Sequence, residues 1–432
     1  MDIKQVCVKA GEASIRMAEL DGAAKNMALS AIADALVENK HKLVAANNED
    51  MKRSREENLA EPLLKRLKFD EKKIEDVVEG IRSLMSLEEP VGRTLLSTML
   101  DDGLELYKVT CPIGVIGIIF ESRPDALVQI STLCLKSGNS VLLKGGREAR
   151  ETNRALTEII EGASIAAGLP EGWITLLESR DDVNEMLKMD EYIDLVIPRG
   201  SNEFVRYIME NSKIPVMGHA DGICHVYVDK EADLSMAEKI TVDSKTQYVA
   251  VCNATETLLV HEAIAGEFLP ALKEEFDRRQ VEIHGDEGTR KIIAVKAAQE
   301  TDWSTEYLDY TISIKLVRDA DEAIEHINTY GSGHTDSIVT SNKLTAVRFM
   351  NLVDSGNVFW NASTRFSDGF KYGFGAEVGI STSKLHARGP VGLEGLLSYK
   401  YMLIGNGHIV DDYASNKKSF KHVGLKKQIG DL

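Results

Sequence analysis

The sequence predicts an α/β protein built from two parallel-sheet domains and an extended β-arm. Three observations carry this. Short unbroken apolar runs recur along the chain, and helical patterns separate them. Strands that are apolar on both faces and joined by helices are the mark of βαβ units and buried parallel sheets. The alternation resumes after Cys252, which implies a second domain. The segment "LELYKVTCP" (104–112), bounded by Gly103 and Pro112, reads as an extended arm outside both.

Residues 1 to about 90 read as helices. In "FDEKKIEDVVEGIRSLMSL" (69–87), Asp70 is an N-cap candidate, and Ile74, Val77, Val78, Ile81 and Leu84 fall on one apolar stripe. The first set of strands comprises "VIGIIF" (115–120), "SVLLKGG" (140–146), "GWITLLES" (172–179), "YIDLVIPRG" (192–200) and "GICHVYVD" (222–229). The second comprises "ETLLVH" (256–261), "RKIIAVKA" (290–297), "SIKLV" (313–317), "DSIVTS" (336–341) and "GNVFWNAS" (356–363). From about Ser398 the tail returns to strand-like material, "YKYMLIG" (399–405), and ends polar. The expected division is 1–102 with 113–229, then 230–397, then 103–112 with 398–432 as arm and tail.

The chain has 432 residues, enough for about two or three domains. Its 51 basic and 68 acidic side chains leave a net charge of −17, which repels polyanions, so nucleic acid and anionic bilayers are not expected partners. Any anionic ligand must meet a local basic cluster. The cysteines Cys7, Cys111, Cys134, Cys224 and Cys252 are odd in number and lack C-x-x-C spacing. That argues against a disulfide framework or a zinc site and fits a reducing cytosol. The start "MDIKQVCVKAGEAS" has no apolar core, so no secretory or transit peptide is expected, and no apolar stretch approaches the ~18 residues of a membrane span.

Four stretches carry chemistry. In "SKTQYVAVCNATETLLVH" (244–261), Cys252 lies in a polar turn just ahead of a buried strand. A thiol there can be reached by a substrate, and the turn's N–H groups, with Asn253 beside them, can hold an oxyanion. A free cysteine is more often a small buried hydrophobe. Cys134, in an apolar helical stripe, and Cys224, in a buried strand, fit that reading; for Cys252 both readings stay open. In "VLLKGGREAR" (141–150), a strand ends in Lys144-Gly145-Gly146-Arg147 and opens a helix. This is either an ordinary turn or a phosphate cradle. No G-x-G-x-x-G follows any strand. The glycine-rich stretch 361–396 carries Arg365, Lys384, His386 and Arg388, a set suited to a phosphorylated or carboxylated ligand. Arg123, past the end of the first strand, is either a surface arginine or a ligand contact at the sheet's carboxyl edge.

Over residues 80 to 405 the sequence resembles the gamma-glutamyl phosphate reductase family, a branch of the aldehyde dehydrogenase superfamily. The resemblance rests on "PIGVIGIIFESRPDA", "LKSGNSVLLKGGREA", "DLVIPRGS", "PVMGHADGICHVYVD", "TVDSKTQ", "CNATETLLVH", "GSGHTDSIVT", "NASTRFSDG" and "FGAEVGISTSKLHARGPVGLEGL", in one order. It implies an aldehyde dehydrogenase-like fold whose β-arm joins subunits into a dimer or tetramer. It implies a cofactor-binding first domain and a second domain with Cys252 as nucleophile. The implied substrate is L-glutamyl 5-phosphate, with glutamate 5-kinase as an associated partner. The implied cofactor is NADPH, contacted by Lys144, Gly145, Gly146, Arg147, Arg199, Gly200 and Ser201. Substrate contacts are implied for Arg123, Ser363, Thr364, Arg365, Lys384, His386 and Arg388. Where oxidising relatives carry a water-activating glutamate, this chain has Met217–Gly218, and Asp221 is the nearest carboxylate. Where relatives that prefer NADH place a glutamate against the ribose, it has Arg147, suited to a 2′-phosphate.

Overall fold

The computed structural model describes residues 2–121, 123–219 and 221–431. Five helices open the chain, from Ile3–Met17 to Glu71–Met85. The last is capped as its sequence requires: Asp70 accepts the Lys73 N–H, and Ile74, Val77, Val78, Ile81 and Leu84 are all buried. The first sheet follows. Its four parallel strands lie in the order Ile174–Leu176, Ser140–Lys144, Val115–Phe120, Leu195–Arg199. All six residues of Val115–Phe120 are buried, because helices cover both faces of the sheet.

The second sheet holds seven parallel strands, in the order Lys296–Ala297, Glu282–Gly285, Thr311–Val317, Thr255–His261, Cys224–Val228, Thr335–Val339, Asn357–Trp360. A separate antiparallel sheet forms the arm. Leu104–Pro112 is flanked by Leu397–Ile404 and Thr94–Asp101, and Val423–Gly424 pairs with the outer side of Thr94–Asp101.

This arrangement corrects the expected division at four points. The strand Cys224–Val228 was expected in the first unit, but it pairs with Thr255–His261 and Thr335–Val339, so the boundary falls before Cys224. Thr94–Asp101 belongs to the arm, where it pairs with Leu104–Pro112. The stretch "RKIIAVKA" closes the short helix Glu287–Ile292, which Asp286 caps, and leaves only Lys296–Ala297 as strand. Finally, Val378, Val391, Leu393 and Leu396 leave the second unit and pack into the first core. Asn139 fastens that return by donating to Leu396 O at 2.8 Å.

One buried carboxylate underpins the turn after Ser140–Lys144. Asp50, fully buried on the helix Lys40–Glu56, accepts the Thr152 N–H at 2.8 Å, the Thr152 hydroxyl at 2.7 Å and the Glu151 N–H at 3.2 Å. It thereby caps the helix Arg150–Ala166 from another element. Asp50 also pairs with Arg53, whose guanidinium donates to Arg147 O at 3.1 Å and Glu148 O at 3.3 Å. Asp50→Ala strands these donors. It is expected to lower stability by about 1–3 kcal/mol, read as a shift in urea midpoint at unchanged slope.

Candidate active site

Cys252 lies in the turn between the helix Leu234–Thr246 and the strand Thr255–His261, half-buried. A hydroxyl clamp holds this turn. Thr364 donates to Asn253 O at 2.7 Å, and its N–H donates to Ser244 Oγ at 3.2 Å. Ser244 in turn donates to Ser363 Oγ at 3.1 Å, and the Asn253 amide donates to Ser367 O at 2.7 Å. From the strand side, the Cys224 thiol donates to Cys252 O at 3.2 Å. Below the turn, the buried Lys245 and Glu256 pair at 2.6 Å and join its two ends. Burial pushes Glu256 up to about 7 and pulls Lys245 down, against their mutual attraction.

These contacts involve three expected residues. Ser363, Thr364 and Asn253 are 5 %, 0 % and 5 % exposed, and their side chains bond within the turn.

Two arginines lie within electrostatic reach of the thiol. Arg199, at the end of the strand Leu195–Arg199, feels Cys252, Arg123 and Glu377, and burial disfavours its charge. Arg365 feels Cys252 as well; it donates to Gln247 Oε1 at 3.0 Å, and burial likewise lowers its pKa. Arg199, expected on the cofactor, also lies within electrostatic reach of the cysteine. Arg123 sits at the start of the helix Pro124–Lys136, and its nearest carboxylate, Asp125, is 3.9 Å away. A guanidinium favours the thiolate and offers paired donors to an anion.

Two histidines that sequence reasoning passed over complete the site. His219 and His334 stand in the quoted "PVMGHADGICHVYVD" and "GSGHTDSIVT", but neither has a local pattern that marks it. One ligand-type atom from each of His219, Cys252 and His334 lies within 4.8 Å of the others. The His219 Nδ1–H donates to Ile380 O at 2.7 Å, which leaves Nε2 with the lone pair, and burial lowers its pKa. Asp221, the carboxylate nearest the missing glutamate, pairs with Arg206 at 2.7 Å and accepts from Asn202 at 3.0 Å.

The remaining residues divide. Lys144 lies at the end of its strand, and burial lowers its pKa. A Cβ at Gly145 would fall 2.0 Å from Nδ2 of the buried Asn153, and one at Gly146 1.9 Å from Glu148 Oε1, so a side chain at Gly145 crowds the turn while one at Gly146 displaces the Glu148 carboxylate. Arg147 is exposed and pairs with Glu57 at 2.8 Å. Gly200 packs on Glu121, which accepts the Ser201 N–H at 3.2 Å. Lys384 and Arg388 are drawn to Asp354, and His386 contacts Gly395 O at 2.8 Å. These three were expected on the substrate; here each contacts a protein partner, and Arg388 Nε is left without one among the described residues. Cys134 and Cys224 are fully buried, and burial pushes both thiols up, as for inert small hydrophobes.

A half-buried cysteine on a braced turn at the amino edge of a parallel sheet, in a chain that holds a second parallel sheet with a glycine turn, fits an enzyme class, and the chain belongs to the aldehyde dehydrogenase family, whose model matches residues 1–312. Within it, the chain belongs with the gamma-glutamyl phosphate reductases. It is 76% identical over 432 residues to that enzyme of Ruminiclostridium cellulolyticum, covering all of both chains. The crystal structure of the Thermotoga maritima gamma-glutamyl phosphate reductase superposes with a TM-score of 0.93 at 42% identity, over 95% of this chain and 100% of that one. An engineered glycolyl-CoA reductase with bound NADP+ shares the fold at 14% identity and a TM-score of 0.62, over 93% of this chain and 96% of that one.

Gly222 sets the depth of the turn. A Cβ there would lie 2.2 Å from Cys252 O and 2.5 Å from Cys252 Cα. Gly222→Ala must therefore displace the nucleophile's backbone. Turnover is expected to fall by about 10²-fold with the thermal midpoint little changed, and unaltered kcat/KM would show that the turn adapts freely.

Proposed function

We propose that this chain reduces L-glutamyl 5-phosphate to L-glutamate 5-semialdehyde with NADPH and releases phosphate, a step of proline biosynthesis. The carrying observation is Cys252 on its clamped turn, within the field of Arg199 and Arg365 and beside His219. The identity to named gamma-glutamyl phosphate reductases supports the same reading.

The thiolate of Cys252 attacks the acyl carbon, the His219 Nε2 takes the thiol proton, and phosphate leaves toward Arg199, Arg123 and Arg365. The product is a thioester on Cys252. A bound nicotinamide cofactor supplies the hydride. The turn's backbone N–H groups hold the oxyanion, which then collapses to the aldehyde and frees the thiolate. The glycines at 145 and 146 keep the turn after Ser140–Lys144 open to a phosphate. Arg147, exposed and paired with Glu57, can meet a 2′-phosphate, which favours NADPH over NADH. The arm supports a homo-oligomer: Leu95, Leu96, Tyr399, Tyr401, Leu403 and Ile404 are exposed along its sheet.

Arg147→Glu replaces attraction to the 2′-phosphate by repulsion, beside Glu57. The ratio of kcat/KM for NADPH to that for NADH is expected to fall by about 10–100-fold; an unchanged ratio moves the contact to Lys144.

The reverse reaction tests the whole reading. With semialdehyde and NADP+ in phosphate-free buffer, NADPH formation is expected to stop after a burst bounded by the enzyme concentration. Added phosphate should restore turnover, because no free carboxylate stands at Met217–Gly218 to activate water, a role worth about 10²–10⁴-fold. Cys252→Ser is expected to lose about 10³-fold or more in both phases. Steady phosphate-free turnover that yields glutamate would overturn the assignment, and Asp221 and Glu377 would be the carboxylates to replace.

A further inference from the structure

The cluster at the nucleophile has the chemistry of a metal site that the proposed reaction does not use. Its three groups come from distant segments: His219 before the strand Cys224–Val228, Cys252 in its turn, and His334 just before Thr335–Val339. In both histidines Nδ1 is already engaged. That of His219 donates to a backbone carbonyl, the contact that typically orients a metal-bound imidazole. That of His334 contacts Thr335 Oγ1 at 2.8 Å and Cys224 Sγ at 3.6 Å. His334 is fully buried, and its Nε2 has no hydrogen-bond partner among the described residues. A buried polar atom left unpaired calls for a ligand.

We propose that Cys252, His219 and His334 bind a soft or borderline divalent cation of the Zn2+ kind, which reversibly caps the nucleophile. Binding exchanges the thiol proton, released to solvent, for a metal–sulfur bond; nothing is oxidised or reduced. One sulfur and two imidazole nitrogens select Zn2+ or Cd2+ over Mg2+ or Ca2+, which prefer oxygen ligands. Three protein ligands leave a fourth position for water. Tetrahedral zinc with these ligands sets the donor atoms about 3.5 Å apart, so the present limit of 4.8 Å requires an inward movement of roughly 1 Å. The inference shares Cys252 with the proposed reaction but does not depend on the identity of the acyl substrate.

The test is made on the full chain without substrate. Equilibrium dialysis against Zn2+ is expected to load one metal per chain, unaffected by excess Mg2+, and Cd2+ should produce a thiolate-to-metal absorption band. Cys252→Ala should abolish both. His334→Asn should weaken loading by about 10–100-fold or more, and His219→Gln gives the same comparison if the buried substitution fails to fold. Zn2+ should also slow alkylation of Cys252, and a chelator should restore it. Loading retained in Cys252→Ala, or a wild-type chain with no cadmium–thiolate band, overturns the inference. Neither readout involves turnover, so either result stands apart from the outcome of the phosphate assay.

Discussion

The hydrogen bond from Thr364 to Asn253 O is the constraint on which the site depends. A nucleophile in a turn is useful only if the turn has one conformation. Here the carbonyl after Cys252 is held from the far side of the domain, while the Cys252 carbonyl is held by the Cys224 thiol from the adjacent strand. Gly222 lies beneath, close enough that no side chain fits. The thiol thus projects from a loop whose backbone carbonyls at 252 and 253 are both held. This is the preorganisation that lets a site act without rearranging.

Charge is distributed on the same logic. The surface is acidic overall, yet the groups that couple to the thiol are guanidiniums, from the first sheet's edge and from the segment after Asn357–Trp360. An acidic exterior with a cationic cleft confines anionic ligands to the cleft. Lys245 and Glu256 are a different use of charge. They are fully buried at the two ends of the cysteine turn, where truncating either partner would leave the other unpaired. Such a pair fixes where the turn begins and ends more than it stabilises the fold.

The histidines add a proton acceptor and a ligand set to one thiol. A thiolate attacks a carbon with the same electron pair that a soft metal seeks. The reactivity that makes Cys252 useful therefore also exposes it to capture, and the unpaired nitrogen of His334 strengthens that competition.

The sequence by itself determined most strands of both sheets, though not Glu282–Gly285, together with the arm strand at 104–112 and the lack of a carboxylate at Met217–Gly218, and it pointed to Cys252. Each of these is a local signal: an apolar run, a turn composition, a residue absent from a matched motif. Only the tertiary structure decided that Cys224–Val228 joins the second sheet, since a buried parallel strand looks the same whichever sheet receives it. It also decided that Thr364 braces the cysteine turn across 111 residues and that Arg199 lies within electrostatic reach of the cysteine. It drew Lys384 and Arg388 to Asp354. It brought His219, Cys252 and His334 together as well. Side-chain partners so far apart in the chain leave no periodicity to read, because their meeting is set by how the two sheets and their loops pack, not by any property of the segments that carry them.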